Sequence, residues 1–244
     1  VMARRKFADQ FDLTQIIDSR ERRQIVGDVT VTAGDVYRGR TWRDTVCLSR
    51  SNFDSHGFTV DPLFLAEPPD HASIDAWLPL RALLPKGWEG VLVTGLAISA
   101  QRDVMPVLRM QPDIQNHAYA AGLAAAAAVR ETNGRIRAID IRALQRRLVH
   151  LNRLLPAPAL LHRDAPAAAD APAVASAAAG SLEIHAELAA LLSAPRRARP
   201  LLRKRLAAGK DAAARLRCAK LLAVLGHAAG EAVLLKAIGG AWDT

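Results

Sequence analysis

At 244 residues, half of them hydrophobic, the chain is long enough to build a sizeable core in one large domain or two small ones. Its formal charge of +9 is spread over small clusters (Arg4-Arg5-Lys6, Arg22-Arg23, Arg146-Arg147 and Arg196 to Arg205) with no aromatic residues between them, the pattern of solvated faces rather than of a nucleic-acid interface. No apolar run reaches the ~18 residues of a membrane-spanning helix, and Cys47 and Cys218 stand outside any CxxC or paired-His spacing, which excludes a visible metal motif.

Residues 1–22 read as a charged helix. "RQIVGDVTVT" (23–32) alternates β-branched residues and predicts a strand, with Thr32 placed to cap a short helix after it. "DTVCLSRSNFDSHGF" (44–58) predicts a strand running into a polar loop, and "SIDAWLPLRALLPKG" (73–87) a strand followed by a turn at Pro85 and Gly87. "GVLVTG" (90–95) is a continuous apolar run bounded by glycines, the pattern of a strand covered on both faces. A helix is expected from Pro112 to Arg130, and another over 140–155 with Asp140 as its cap. The Pro- and Ala-rich stretch that follows has no hydrophobic periodicity and predicts a linker over 159–180. From Ser181 onward only helix-forming sequence is found, broken near Pro195, Gly209, Gly226 and Gly239. The chain thus divides into a mixed α/β part (1–158), a linker and an all-helical part (181–244).

Several residues in this plan carry chemistry. A strand that ends in glycine, as at Gly95, lets another group approach the backbone closely. Pro112 suits the first helical turn, but Gln111 is a poor cap, so the first N–H groups are short of a partner and form a ready anion or carbonyl site. Alternatively, Asp113 offsets the helix dipole and water satisfies the rest. Ile114, Ala118, Ala121, Gly122, Ala125 and Val129 share one face of this helix, and most are small. Such a face suits close approach to a flat ring, or ordinary helix packing in an alanine-rich protein. In the loop "RSNFDSHGF", His56 stands among Arg50, Asn52 and Asp54; it is either a proton carrier or a surface loop histidine. Arg81 either clamps a carboxylate or forms an ion pair that holds the "LLPK" turn. His71, His117 and His150 read as structural or surface residues, and no nucleophile elbow accompanies Asp54 and His56.

The order of segments resembles the C-terminal part of the FAD-dependent oxidoreductase family related to the fumarate reductase flavoproteins. The residues that carry the resemblance are Pro79-Leu80-Arg81, Leu83-Leu84-Pro85-Lys86, Leu92-Val93-Thr94-Gly95, Ile98-Ser99-Ala100, Arg109-Met110-Gln111-Pro112 and Ala121-Gly122-Leu123-Ala124, with "RQIVGDVTVTAGDV" and "FDSHGF" upstream. The resemblance implies a partial FAD-binding domain, with FAD as cofactor and a small organic molecule as substrate. Gly95 would lie beside the ribityl and pyrophosphate, with Leu96 and Ser99 as further cofactor-binding residues. The helix start, Pro112, Asp113, Ile114 and Gln115, would face the pyrimidine edge of the flavin. It further implies hydride transfer to flavin, with Arg81 and Arg109 orienting the substrate and His56 carrying the proton. The N-terminal Rossmann βαβ unit with its G-x-G-x-x-G turn is absent, so the chain reads as a fragment of a longer flavoprotein.

In the tail, "ARLRCAKLLAVLGHAAGEAVLLKAI" (214–238) resembles a HEAT-like repeat. Leu216, Ala219, Leu222 and Leu225, then Val233, Leu234 and Ile238, would form the inner faces of a helix pair with Gly226 in the turn. An earlier pair is expected over about 182–192 and 198–208. Such repeats either present a surface to a protein partner or act as a spacer; a non-catalytic interaction protein is the alternative reading of the whole chain. The alanine and arginine bias is that of a GC-rich bacterial genome. Val1 lies within polar sequence, so a leader is neither indicated nor denied, and a cytoplasmic location is the default.

Overall fold

A computed structural model describes residues 23–54, 59–69, 71–150 and 154–242, with side chains through residue 239. The helix expected over 1–22, and His56, lie outside the described residues. The architecture is mixed, as expected, but helices dominate, and the only sheet among the described residues has two strands.

Thr32 caps helix α1 (Ala33–Tyr37) as its position predicts. Its hydroxyl accepts the Asp35 N–H at 3.0 Å, while the Asp35 carboxylate accepts the Thr32 N–H at 3.1 Å, so two orphan donors are satisfied reciprocally. Strands β1 (Thr45–Ser51) and β2 (Ile74–Pro79) pair antiparallel, with Cys47 opposite Leu78 and Ser49 opposite Ala76. Between them lies α2 (Pro62–Ala66), capped by Asp61.

Two predicted strands are not regular strands. Residues 23–32 make only isolated bridges, Gly27 with Pro85 and Val31 with Ala100. Their N–H groups go to different loops, Asp28 to Leu84, Val29 to Arg81 and Val31 to Ser99, so no continuous ladder forms. The "GVLVTG" run is extended but not covered on both faces: Val91 is 41% exposed, and Val93 donates to Leu83. An apolar run becomes a strand only when a neighbour takes its outer hydrogen bonds.

Helices α3 (Met105–Leu108) and α4 (Gln111–Glu131) follow. α4 ends in a left-handed turn at Asn133 and Gly134, φ 50° and 80°. α5 (Ile141–His150) starts where the Asp140 carboxylate accepts the N–H groups of Arg142 and Ala143, as expected of that cap.

The segment read as a linker is ordered and packed. Asp170 caps α6 (Ala171–Ala179), which buries Val174, Ala177 and Ala178. Upstream, the carbonyls of Ala165, Pro166 and Ala167 accept hydrogen bonds from Arg40 and Arg38. Proline-rich extended chain leaves its carbonyls unpaired, and long arginines reach them.

Four helices complete the chain: α7 (His185–Ser193), α8 (Pro195–Ala208), α9 (Ala212–Val224) and α10 (Glu231–Trp242). Gly226, at φ 72°, makes the predicted turn after α9. Ala219, Leu222 and Leu225 are buried as expected, but Ile238 is 55% exposed, because nothing among the described residues packs beyond α10. α7 packs on α1 and α2. There the His185 ring stacks on Tyr37 at 4.6 Å, and Tyr37 stacks on Phe53 at 4.8 Å. One continuous hydrophobic core therefore runs from Val31 to Leu225.

Candidate functional site

Gly95 adopts φ 73°, a left-handed conformation that favours glycine, and a Cβ built on it meets nothing within 4 Å. The turn it opens, Gly95–Ala97, packs against α4, and Leu96 leans on the core. Open space beside a left-handed glycine is what close approach of a ligand requires.

Ser99, two residues beyond that turn, is fully buried and otherwise engaged. Its hydroxyl accepts the Gly27 N–H at 2.9 Å and bonds the Thr30 hydroxyl at 2.8 Å. A Cβ on Gly27 would lie 2.7 Å from the Ser99 Cβ. Ser99 and Gly27 thus clasp the 27–30 segment against the 99–101 loop. Gly27 lies in the "RQIVGDVTVTAGDV" stretch that carries the family resemblance, where it interrupts a β-branched run.

The start of α4 has no side-chain cap, and Gln111 and Pro112 are exposed. The Ile114 N–H already bonds the Met110 carbonyl, which leaves the backbone N–H groups of Gln111 and Asp113 without partners among the described residues. Ile114 is half-buried and Gln115 exposed.

Asp113 turns inward. It is 7% exposed, and its Oδ2 has no hydrogen-bond partner among the described residues. Burial raises its carboxyl to about 6. It lies against Cys47 of β1, whose thiol is pushed up to about 12 by burial and by the Asp113 charge, with Ser49 acting in the other direction. One turn further along α4, His117 is fully buried with neither ring nitrogen partnered among the described residues, and burial lowers it to about 4.

The buried face of α4 consists of Asp113, His117, Ala120, Ala121, Ala124 and Ala128. It sits about one residue, or ~100°, round from the predicted face. Of the predicted stripe, Ala121 is buried, while Gly122 and Val129 are exposed, Val129 to 74%. The buried face carries Asp113 and His117 where the predicted face carries Ile114 and Ala118, so apolar periodicity favours the neighbouring face.

The two arginines differ. Arg109 donates to the Asp54 carbonyl at 3.3 Å, which places the junction of α3 and α4 beside Asp54. Arg81 is committed elsewhere. Its backbone N–H, Nε and Nη2 all bond the Asp44 carboxylate, at 2.8, 2.9 and 2.7 Å, and Nη2 also reaches Asp164. Burial works to lower its guanidinium, but these two carboxylates outweigh that and hold it above its ordinary value. This geometry favours the ion-pair reading of Arg81 over the substrate clamp.

An open left-handed glycine turn packed on a long helix with an uncapped start offers a ligand room at the backbone and a positive helix end. The chain belongs to the FAD dependent oxidoreductase family: the family model matches residues 2–148, well over half of the chain, and takes in every candidate residue named above. FAD is the cofactor of that family. No curated protein and no solved structure matches the chain.

Proposed function

We propose that this chain supplies the flavin-facing half of an oxidoreductase that transfers hydride between a small organic substrate and FAD. The observation that carries this reading is the open, left-handed Gly95 turn packed on α4, within the span of the family match. The residues fit the group: a backbone without side chain at Gly95, and N–H groups at Gln111 and Asp113 that have no partner among the described residues, at the positive end of a 21-residue helix. A glycine-rich pyrophosphate turn is not among the residues of this chain.

When bound, FAD supplies the two-electron acceptor. The chain's own residues do the rest. The α4 start offers positive potential and hydrogen-bond donors to negative charge at the ring edge. Arg109 adds a positive charge between that helix and Asp54. His56 carries the proton that accompanies hydride transfer. Leu96 and Ile114 present apolar surface that excludes water. Arg81 holds the fold under the site through Asp44, a positioning role.

The test uses the longest natural chain that contains this sequence. Purified, it should be yellow, with bound flavin absorbing at about 450 nm. Gly95→Val should reduce flavin retention at least about tenfold, because a β-branched residue is strained at that φ and fills the open space; Gly122→Ser, on the exposed side of α4, should leave retention unchanged. A colourless wild type that gains no bound flavin on titration refutes the proposal.

A further inference from the structure

A cavity of about 480 Å³ lies between α1 and α2 on one side and α7, α8 and the end of α9 on the other. No residue read as flavin-facing lines it. Its volume falls within the roughly 300–1,000 Å³ of small-molecule sites.

Three arginines stand in its wall: Arg38, Arg40 and Arg199. Arg40 is paired with Asp35 at 2.9 Å. The other two have only neutral partners among the described residues. Arg38 donates from Nη1 and Nη2 to the Ala167 and Pro166 carbonyls, and Arg199 donates from Nε and Nη2 to the Leu225 carbonyl. The remaining wall carboxylate, Asp61, caps α2 by accepting the Leu63 N–H at 2.8 Å. The wall therefore carries three guanidiniums against two carboxylates, both already engaged. Nε of Arg38 and Nη1 of Arg199 remain without partners among the described residues. Burial depresses Arg38 below its usual value, with Asp35 opposing and Arg40 adding to the effect, as expected of a cation short of a counter-ion. The rest of the lining is largely apolar, with Leu63, Leu192 and Leu225 prominent.

From this we infer that the cavity is a binding site for an organic carboxylate with a short apolar chain, its head group held by Arg38 and Arg199 and its chain lying on Leu63, Leu192 and Leu225. Guanidinium forks match carboxylates in geometry, and an incoming carboxylate supplies the missing counter-charge. Because one wall comes from the α/β part and the other from the helical tail, such a ligand would tie the two together. The site does not depend on the flavin reading.

The test is calorimetric titration of the 244-residue chain with octanoate, acetate and octanol. Octanoate should bind saturably. Octanol and acetate should each bind at least about tenfold more weakly, since one lacks the charge-assisted bonds and the other the apolar contact. The double variant Arg38→Gln/Arg199→Gln should lose at least about tenfold in octanoate affinity. Leu192→Trp, which keeps both arginines but fills the cavity, should lose a similar amount and decides the matter if the double variant does not fold. No saturable octanoate binding to the wild type, octanol binding as tight as octanoate, or undiminished binding to Leu192→Trp overturns the inference.

Discussion

Replacing Asp113 by asparagine tests the buried seam between α4 and β1. The Asp113 carboxyl is held at about 6 instead of 3.8, and His117 on the same helix face at about 4 instead of 6.5. The signs oppose. Asp113 binds its proton more tightly in the folded state, so its contribution is most favourable at acid pH and is lost as pH rises from 3.8 through about 6. His117 binds its proton less tightly when folded, so its contribution is lost as pH falls from 6.5 through about 4. Each is worth at most about 3 kcal/mol. Near about pH 5 the native state keeps one proton on Asp113 and the unfolded state keeps one on His117, so this pair contributes almost no slope to the wild-type stability curve. Asp113→Asn removes one arm. Relative to wild type, the variant should be stabilised by about 1 to 3 kcal/mol at about pH 8, and the gain should vanish near about pH 4. Urea unfolding of both proteins across that range is the assay. A difference that does not change with pH, or a variant less stable at about pH 8, would mean that the carboxylate has a compensating partner and the reasoning fails.

Gly27→Ala should cost about 2 to 4 kcal/mol in chemical denaturation, because the new methyl lands 2.7 Å from the Ser99 Cβ and 3.0 Å from the Arg81 carbonyl. Gly122→Ala, where nothing lies within 4 Å, should instead gain up to about 1 kcal/mol. Asp44→Asn should destabilise by about 2 to 4 kcal/mol, since it leaves the Arg81 guanidinium with Asp164 alone. In a double-mutant cycle, Asp44→Asn and Arg81→Met should couple by more than about 1 kcal/mol. Independent effects would return Arg81 to the candidate substrate ligands.

The legible features were those fixed by neighbours in sequence. Thr32 and Asp140 cap the helices they were expected to cap, because a cap needs only a side-chain oxygen and an N–H two or three residues on. The start of α4 was equally plain from Gln111 and Pro112. What escaped depends on distant partners. The fate of residues 91–94 turns on whether a neighbour flanks them, which their own apolarity does not encode. The ordering of 163–167 rests on bonds such as Arg40 to the Ala165 carbonyl, 125 positions apart in the chain. The inward turn of Asp113 was hidden for another reason: a polar residue in the first turn of a helix normally marks the solvent face, whereas His117 was open to a structural reading. Arg109, Gly95 and Gly27 all stand in the segments that carry the family resemblance, but the close packing of Gly27 on Ser99 depends on a partner 72 positions away.

The stacking of His185 on Tyr37 has a practical consequence for anyone shortening this protein. Composition invites a cut near residue 158, yet trimming there would lay bare Tyr37, Phe53 and Phe64 and take away Leu188 and Leu191, which are buried where α7 meets α1 and α2. The carbonyls that hold Arg38 and Arg40 would go with them. A truncated version meant to stay soluble should therefore run at least through Leu225, where the shared interior closes.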